Sequence, residues 1–470
     1  MFSSFSARSA CGRRAAGIAA VTLVSGLAVA VLSAAAGPAA ADDAAGRAQG
    51  GATATIGGLK TYGDAVVHTD AGDLELSAGL FEMSVEGGGT LQTYCVDIHN
   101  PTQRDAKYRE TPWSGTSLGA NKDAGRIRWI LQNSYPQVND LAALARQAGV
   151  RGGLTEQDAA TGTQVAIWRY SDGVDVEAVD PQAEKLADYL EDSARPTAEP
   201  KASLTLDPPA LSGHPGEKLG PVTVRTNADS VTVTPPAAAV TSGVRVVGED
   251  GKEVTTARNG SRLFLDVPAD APDGSAELTV QASTTVPVGR AFASDSRSQT
   301  QILAGSSEST VSATASATWA ETGAIPALSA AENCAEGGVD ITAVNEGDAP
   351  FTFELMGAQH TVAAGETRTV TVPLQEDQAY DFTITGPGGH EQRFTGVLDC
   401  RTQAAETDAA GTSVQSAGEP SPATVPAPED VNLAATGSSD ATPMIGGAAI
   451  GLVLIGGAAL VLVRKKKTQD

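Results

Sequence analysis

The chain has 470 residues, of which 41% are hydrophobic and only 4% are aromatic. This length exceeds the usual size of one domain, so we expect several small domains with cores of short aliphatic side chains. The formal net charge of -24 argues against nucleic acid as a partner, because phosphate binding requires clustered Lys and Arg side chains. We attribute the acidity to solubility.

The N-terminus has the features of a cleavable signal peptide in their usual order. Arginines precede a long apolar run, and Ala39 and Ala41 follow it in the small-x-small pattern of a cleavage site. We therefore predict a signal peptide over residues 1–41, whose removal leaves the exported chain to begin at Asp42.

Residues 51–196 mix strand-like and helical patterns, which predicts an α+β domain. The alternating Phe81 and Met83 indicate a half-buried strand. Thr155, with Asp158 three residues later, is expected to cap the third of the predicted helices. These helices have the sequences "RIRWILQNSYP", "DLAALARQAG", "LTEQDAATGTQVAIWRYSDG" and "DPQAEKLADYLEDSA".

From residue 202 onward the sequence is typical of antiparallel sheets. Runs such as "VTVRT" and "RLFLDV" alternate polar with apolar residues between regular turn signals. We predict an all-β, immunoglobulin-like sandwich over residues 202–319 and a smaller one over residues 323–400. Cys334 and Cys400 flank the smaller domain and are expected to form its disulfide, which would restrict its unfolded state.

A second apolar run over residues 443–463 is about as long as a helix needs to cross a bilayer. The basic tail over residues 464–470 follows directly and should stay in the cytoplasm, so the chain between the apolar runs should lie outside the membrane. Residues 401–432 are rich in Ala, Pro, Ser, Thr and acidic side chains. They are predicted to form a disordered spacer.

The motif LAATG lies between the spacer and the apolar run, and it runs from Leu433 through Ala434, Ala435 and Thr436 to Gly437. The order of motif, membrane run and basic tail resembles a sortase sorting signal, in the LAxTG form associated with high-GC Gram-positive bacteria. The resemblance implies that a sortase cuts after Thr436 and joins it to an amine of the peptidoglycan. The chain would then meet the membrane only as a precursor. The alternative is an ordinary tail-anchored membrane protein.

Cys95 is left without a partner, since Cys11 leaves with the signal peptide. In an oxidising compartment an odd cysteine indicates an intermolecular bridge or a reactive sulfur. Strand alternation would place Cys95, Asp97 and His99 on one side of a strand, as a Cys-His hydrolase would use them. Parallel side chains share a proton poorly, however, so this hydrolase is the weaker alternative. The 5 histidines show no ligand spacing, so no metal or cofactor is predicted.

The sequence around Gln164 offers Cys95 a different partner. On a helix, Gln164 would share a face with Ile167 and Trp168. A YC strand followed by a TQxAxW helix resembles the thioester domain of Gram-positive surface adhesins. The residues that carry the resemblance are Tyr94, Cys95, Thr163, Gln164, Ala166 and Trp168.

This resemblance implies an internal thioester between the sulfur of Cys95 and the side-chain carbonyl of Gln164, formed with loss of ammonia. An amine, such as a lysine of a surface protein, would displace Cys95 and stay bound to Gln164. The reaction occurs once per molecule, so the expected function is a single-use covalent adhesin and not an enzyme.

The β-domains would raise the thioester domain above the cell wall. Stalk domains of such adhesins often contain isopeptide bonds, but Lys218 and Lys252 are interpreted as ordinary exposed lysines. The remaining alternative is a non-covalent structural or binding protein of the wall, in which Cys95 is inert and the β-domains carry the ligand site.

Overall fold

A computed structural model describes residues 50–237, 243–389 and 391–401, all within one compact unit. Among these residues, no helix is long and apolar enough to cross a membrane. The predicted signal peptide over residues 1–41 lies outside the described residues. The same holds for residues 402–470, which contain the predicted spacer, LAATG motif, apolar run and basic tail.

The N-terminal part combines strands with helices, as its mixed sequence pattern predicted. A 3-10 turn, Trp113–Gly115, precedes the first helix. The elements are β1 (Thr53–Thr69), β2 (Gly72–Val85), β3 (Thr90–Cys95), β4 (Lys107–Thr111), α1 (Ser117–Ala120), α2 (Ala124–Asn133), α3 (Leu141–Gln147), α4 (Glu156–Ser171), β5 (Val176–Ala178) and α5 (Pro181–Ser193).

The helix α4 begins where the sequence predicted. The side chain of Thr155 accepts a hydrogen bond from the backbone of Asp158, and the carboxylate of Asp158 accepts one from the backbone of Thr155. This reciprocal arrangement satisfies two N–H groups that the helix cannot pair internally. The expected cap is therefore confirmed, and it fixes the position of every residue along α4.

Strands make up most of the remaining chain. Between residues 204 and 319 they are β6 (Leu204–Asp207), β7 (Ala210–Gly213), β8 (Lys218–Thr226), β9 (Val231–Thr234), β10 (Arg245–Val247), β11 (Thr256–Ala257), β12 (Arg262–Asp266), β13 (Gly274–Thr285), β14 (Ala291–Ser294), β15 (Gln301–Ser306) and β16 (Glu308–Trp319). After residue 325 they are β17 (Pro326–Asn333), β18 (Gly338–Asn345), β19 (Phe351–Leu355), β20 (Ala358–Val362), β21 (Glu366–Pro373), β22 (Ala379–Thr385) and β23 (Glu391–Val397). Mostly β content arranged in several sheets was predicted, and the structure confirms it.

A sandwich is built from a sheet in the order β10-β12-β8-β6 and a sheet in the order β11-β9-β13-β16-β7. Alternate residues of the strands point inward, and Val222, Leu278 and Val280 are completely buried between the sheets. The antiparallel pair β13 and β16 runs without a register shift from one end of the sandwich to the other. Lys218 and Lys252 are exposed, as expected.

The chain between β13 and β16 does not stay in the sandwich. There β14 and β15 form a hairpin that inserts into the N-terminal sheet, whose order is β2-β3-β15-β14-β4-β1-β5. The strand β14 pairs with β4, and β15 pairs with β3. Assigning all of residues 202–319 to a separate sandwich is therefore wrong for this hairpin. The facing edges of β3 and β4 carry backbone groups that need partners, and the hairpin supplies them.

The C-terminal part has its own hydrophobic core around Ile341, Phe353 and Phe394. Its sheet has the order β17-β18-β21, and β19-β20 and β22-β23 form hairpins beside it. A disulfide joins Cys334 to Cys400, whose Cα atoms lie 5.1 Å apart. This bond closes almost the whole module into a covalent loop.

Candidate functional site

Cys95 is the last residue of β3 and is 1% exposed. It is a free cysteine in the structure. The strand ends there, so the expectation that Cys95, Asp97 and His99 lie along one side of a strand is wrong. Instead, the carboxylate of Asp97 accepts a hydrogen bond from the backbone N–H of His99, which bends the chain away from the sheet. Among the described residues, no hydrogen bond joins the Cys95 sulfur to the His99 ring.

The side chain of Gln164 lies against the backbone of Cys95. The N–H of Cys95 donates to Oε1 of Gln164 at 3.0 Å, and Nε2 of Gln164 donates to the carbonyl oxygen of Cys95 at 2.9 Å. Gln164 is fully buried. These two hydrogen bonds fix the plane of the carboxamide beside Cys95, and the N–H of Cys95 polarises its carbonyl group.

Small residues allow α4 to bring Gln164 this deep into the fold. A side chain at Gly162 would meet the carbonyl oxygen of Ala183 in α5 at 2.4 Å, so this position can hold only glycine. The hydroxyl of the preceding residue, Thr161, donates to the carbonyl oxygen of Ala78 in β2 at 3.2 Å. The helix is therefore held between α5 and the sheet, which leaves Gln164 directed at the end of β3.

Tyr94 and Thr163, the neighbours of Cys95 and Gln164 in the chain, each form a hydrogen bond to a backbone carbonyl group. Tyr94 is fully buried, and its hydroxyl donates to the carbonyl oxygen of Tyr135 at 2.8 Å. Burial raises the pKa of Tyr94, so the phenol stays neutral. The hydroxyl of Thr163 donates to the carbonyl oxygen of Ala159 one turn earlier, at 2.6 Å. Both residues thus have structural partners and hold β3 and α4 in place.

Ala166 and Trp168 complete the motif predicted from the sequence. Ala166 is fully buried and Trp168 is 3% exposed. Trp168 lies one turn after Gln164, so the two side chains share a face of α4. Its indole Nε1 is buried and has no hydrogen-bond partner among the described residues. The buried ring therefore adds apolar surface to the face of α4 that carries Gln164.

Gln301 is a residue of this site that sequence reasoning missed. It begins β15 and lies directly opposite Cys95 in the register of β15 with β3. Its Nε2 donates to the sulfur of Cys95 at 3.3 Å, and its Oε1 accepts from the hydroxyl of Thr93 at 2.9 Å. Gln301 lies 206 positions after Cys95, within the segment predicted to be a sandwich, and no sequence motif marks it.

The comparisons with known proteins address this same region. Residues 92–196 match the family model of the thioester domain. The matched range contains Cys95 and Gln164, and it does not include Gln301. Residues 321–397 match the family model described as the C-terminal domain of bacterial phospholipase C. A comparison with curated proteins gave no match.

Solved structures with some similarity include three proteins. The Bacillus anthracis TIE protein is 15% identical with a TM-score of 0.27, and the alignment covers 75% of this chain and 81% of that one. The thioester domain of the Enterococcus faecium TIE86 protein is 17% identical with a TM-score of 0.27, and the alignment covers 59% of this chain and 99% of that one. The E. coli chaperone DraB is 13% identical with a TM-score of 0.15, and the alignment covers 42% of this chain and 98% of that one. TM-scores this low do not establish a common fold.

The Cys95 thiol at the end of β3 has a raised pKa. Burial raises the pKa of Cys95 to about 12, although hydrogen bonds from Gln301 and Thr102 act in the opposite direction. The nearby charges of Asp97 and Asp172 raise it further. At neutral pH the site therefore holds a neutral thiol, in contrast to the low-pKa thiolate of a cysteine hydrolase. Burial also lowers the pKa of His99, which disfavours the Cys-His alternative.

Buried carboxyl groups lie around this end of the sheet. Asp172 accepts a hydrogen bond from the backbone of Ile98 at 3.0 Å, and Asp399 accepts one from the hydroxyl of Thr300 at 2.7 Å. Burial raises the pKa of Asp97 and of Asp172, and it raises that of Asp399 to about 7. Their mutual repulsion acts in the same direction. Asp399 belongs to the C-terminal module and contacts Thr300, the residue before Gln301.

Proposed function

We propose that the protein is a cell-wall-anchored surface adhesin that captures an amine through a thioester between Cys95 and Gln164. The observation that carries the proposal is the pair of hydrogen bonds between the Gln164 carboxamide and the Cys95 backbone. The match of residues 92–196 to the thioester domain supports it. Both groups are buried on rigid elements, which is the arrangement that an uncatalysed intramolecular acyl transfer requires.

The bond would form by attack of the Cys95 sulfur on the carboxamide carbon of Gln164. The thiol gives up its proton, the carbon–nitrogen bond of the carboxamide breaks, and the nitrogen leaves as ammonia. The backbone N–H of Cys95, which contacts Oε1 at 3.0 Å, is placed to stabilise negative charge on that oxygen as the sulfur adds. This donor is preorganised by the strand, so its orientation costs nothing during the reaction.

Capture would reverse the role of the sulfur. An amine attacks the carbonyl carbon of Gln164, the carbon–sulfur bond breaks with its electron pair on sulfur, and the proton lost by the amine restores the thiol. The product is an amide between Gln164 and the amine, for example a lysine of a surface protein. An amide is far less reactive than a thioester, so the attachment is permanent.

Burial would protect the acyl group until an amine arrives. Cys95 is 1% exposed, Gln164 is fully buried, and Trp168 adds an apolar wall. Hydrolysis requires a water molecule at the same carbon, and a closed apolar pocket lowers the probability that one is present. The site thus combines a reactive bond with a long lifetime.

Anchoring would take place at the opposite end of the chain. The LAATG motif, apolar run and basic tail support attachment of Thr436 to peptidoglycan by a sortase, after passage through the plasma membrane. The protein would then act on the outer face of the cell wall. Its negative net charge fits a module that should not adhere through charge alone.

The experiment is an intact mass measurement of the full chain, purified in mild detergent, before and after incubation with methylamine. The expected mass is lower than that of the plain sequence by one ammonia and rises by one methylamine, with the adduct on Gln164. Cys95→Ala and Gln164→Ala should each abolish both changes.

Gln92→Ala, on the same strand as Cys95 but outside the site, serves as the control and should behave as the wild type. A wild-type mass equal to that of the plain sequence, together with a titratable Cys95 thiol, would contradict the proposal. The non-covalent wall protein would then be the better interpretation.

A further inference from the structure

We propose that Gln301 is a hydrogen-bond donor that stabilises the Cys95 sulfur as it leaves during amine capture. The inference rests on the proposed function and assigns a role to a residue outside both the sequence motif and the matched range. It also means that the reactive site is completed by the hairpin from the sandwich.

The contact is specific to the sulfur atom. Nε2 of Gln301 lies 3.3 Å from Sγ of Cys95, whereas the carboxamide of Gln164 bonds to the Cys95 backbone. Gln301 and Cys95 are directly opposite each other on adjacent strands, and such neighbours have the closest Cβ atoms in a sheet. Gln301 is fully buried, so no bulk water competes for the sulfur.

Thr93 binds the oxygen end of the Gln301 carboxamide. The hydroxyl of Thr93 donates to Oε1 of Gln301 at 2.9 Å, and Thr93 is itself completely buried. Because this hydroxyl donates to Oε1, the NH₂ group of Gln301 lies on the side of Cys95. Thr93 is therefore a positioning residue that acts through Gln301.

The chemical need for such a donor arises when the carbon–sulfur bond breaks. The electron pair of that bond stays on sulfur, which briefly carries a negative charge inside an apolar pocket, before the proton released by the attacking amine neutralises it. Asp97 and Asp172 lie near the thiol and cannot stabilise this charge when they are ionised. An N–H group aimed at the sulfur stabilises the thiolate most when the charge is fully developed, which speeds bond cleavage.

The test compares Gln301→Met with Gln92→Met in the full chain in detergent. Methionine keeps the length and volume of glutamine and removes the donor. We expect Gln301→Met to retain the mass deficit of one ammonia and to capture methylamine about tenfold more slowly than the wild type. Gln92→Met makes the same change elsewhere on the paired strands and should capture at the wild-type rate.

Two amines of different basicity separate a leaving-group role from a structural one. Without the donor, the Cys95 thiolate is a poorer leaving group. The intermediate formed by amine addition then expels a weakly basic amine more readily than it expels the thiolate. The capture rate should therefore fall more for hydroxylamine, which is weakly basic, than for methylamine. A merely loosened pocket would change both rates by the same factor. Equal slowing for both amines, or no slowing at all, would overturn the proposal.

Thr93 provides a second set of variants if Gln301→Met does not fold. Thr93→Val removes the hydroxyl at nearly constant volume and should slow capture roughly threefold, with hydroxylamine again affected more. Thr93→Ser keeps the hydroxyl and should restore the rate. Wild-type rates in Thr93→Val would count against the proposal.

Failure of this inference differs from failure of the proposed function. If the wild type takes up no methylamine, the thioester itself is absent. If the wild type reacts and the adduct maps to Gln301 instead of Gln164, Gln301 is the acyl donor, and its role as leaving-group donor is refuted.

Discussion

Cys95 and Gln301 are hydrogen-bonded cross-strand neighbours although 206 positions separate them in the chain. The strand that carries Gln301 belongs to a hairpin between β13 and β16 of the sandwich, so the site is assembled from two modules. Residues 92–196, which match the family model of the thioester domain, therefore lack part of the sheet and one of the side chains that touch the sulfur.

A chain that ends at residue 200 is expected to fold poorly. It would lack β14 and β15, so β3 and β4 would expose unpaired edges and their buried side chains to water. We predict low solubility and no methylamine uptake for residues 42–200, and uptake for residues 42–401. Soluble yield and intact mass measure this directly. A soluble shorter fragment that captured methylamine at the rate of the longer one would contradict the prediction.

Trp168→Ala should shorten the lifetime of the acyl bond. Removing a 3% exposed indole leaves a cavity beside Gln164, which costs about 3 kcal/mol of stability and admits water to the pocket. The expected result is spontaneous conversion of Gln164 to Glu with release of the Cys95 thiol. Mass spectrometry over time follows the gain of one water. Trp168→Phe keeps most of the apolar surface and should retain the bond for longer.

A buried ion pair connects the hairpin to the N-terminal sheet. Arg290, just before β14, donates from Nε to Oε1 of Glu110 in β4 at 2.9 Å, with 4% and 0% of the two side chains exposed. Arg290→Met would leave the buried charge of Glu110 without its partner, so we predict a loss of about 3 kcal/mol in the free energy of unfolding.

The matched control for this pair is Arg245→Met. Arg245 pairs with Asp266 at 2.6 Å, but its side chain is 55% exposed. Water screens such a pair, so its loss should cost less than about 1 kcal/mol. Urea unfolding measures the free energy of unfolding of both variants. Equal losses would contradict the prediction that Arg290 joins the hairpin to the N-terminal sheet.

The stability of the protein should depend on pH through Asp399. Its pKa is raised to about 7 in the folded chain by burial, whereas an unfolded aspartate titrates near about 3.9. Between these values the folded state holds more protons, so its stability falls as the pH rises from about 4 to about 7. Asp399→Asn removes this dependence while the amide oxygen can still accept from Thr300.

We therefore expect Asp399→Asn to stabilise the protein more at pH 8 than at pH 5, with a difference of roughly 2 kcal/mol between the two conditions. Thermal unfolding at the two pH values provides the measurement. Asp270→Asn, at an exposed position, should show no such difference. If Asp399→Asn changed the free energy of unfolding equally at both pH values, Asp399 would not carry a proton in the folded state.

Local sequence signals predicted the parts of the site that lie within one element. The capping residues Thr155 and Asp158 fixed the start of α4, and helical spacing then placed Gln164 and Trp168 on one face. The unpaired Cys95 was apparent from counting cysteines. The alternation of Cys95, Asp97 and His99 failed as a prediction, because periodicity does not reveal the residue at which a strand ends.

The sequence alone determined the helices of the N-terminal part and the β-rich remainder. These follow from propensity and periodicity, which act over a few neighbouring residues. The pairing of Cys95 with Gln164 was a hypothesis that came from the resemblance to the thioester domain of surface adhesins. Only the tertiary structure decided that β15 lies beside β3, that Gln301 faces the sulfur and that Asp399 contacts Thr300. Paired strands are joined by backbone hydrogen bonds, which are the same for nearly every residue. The sequence of one strand therefore does not indicate which distant strand will pair with it.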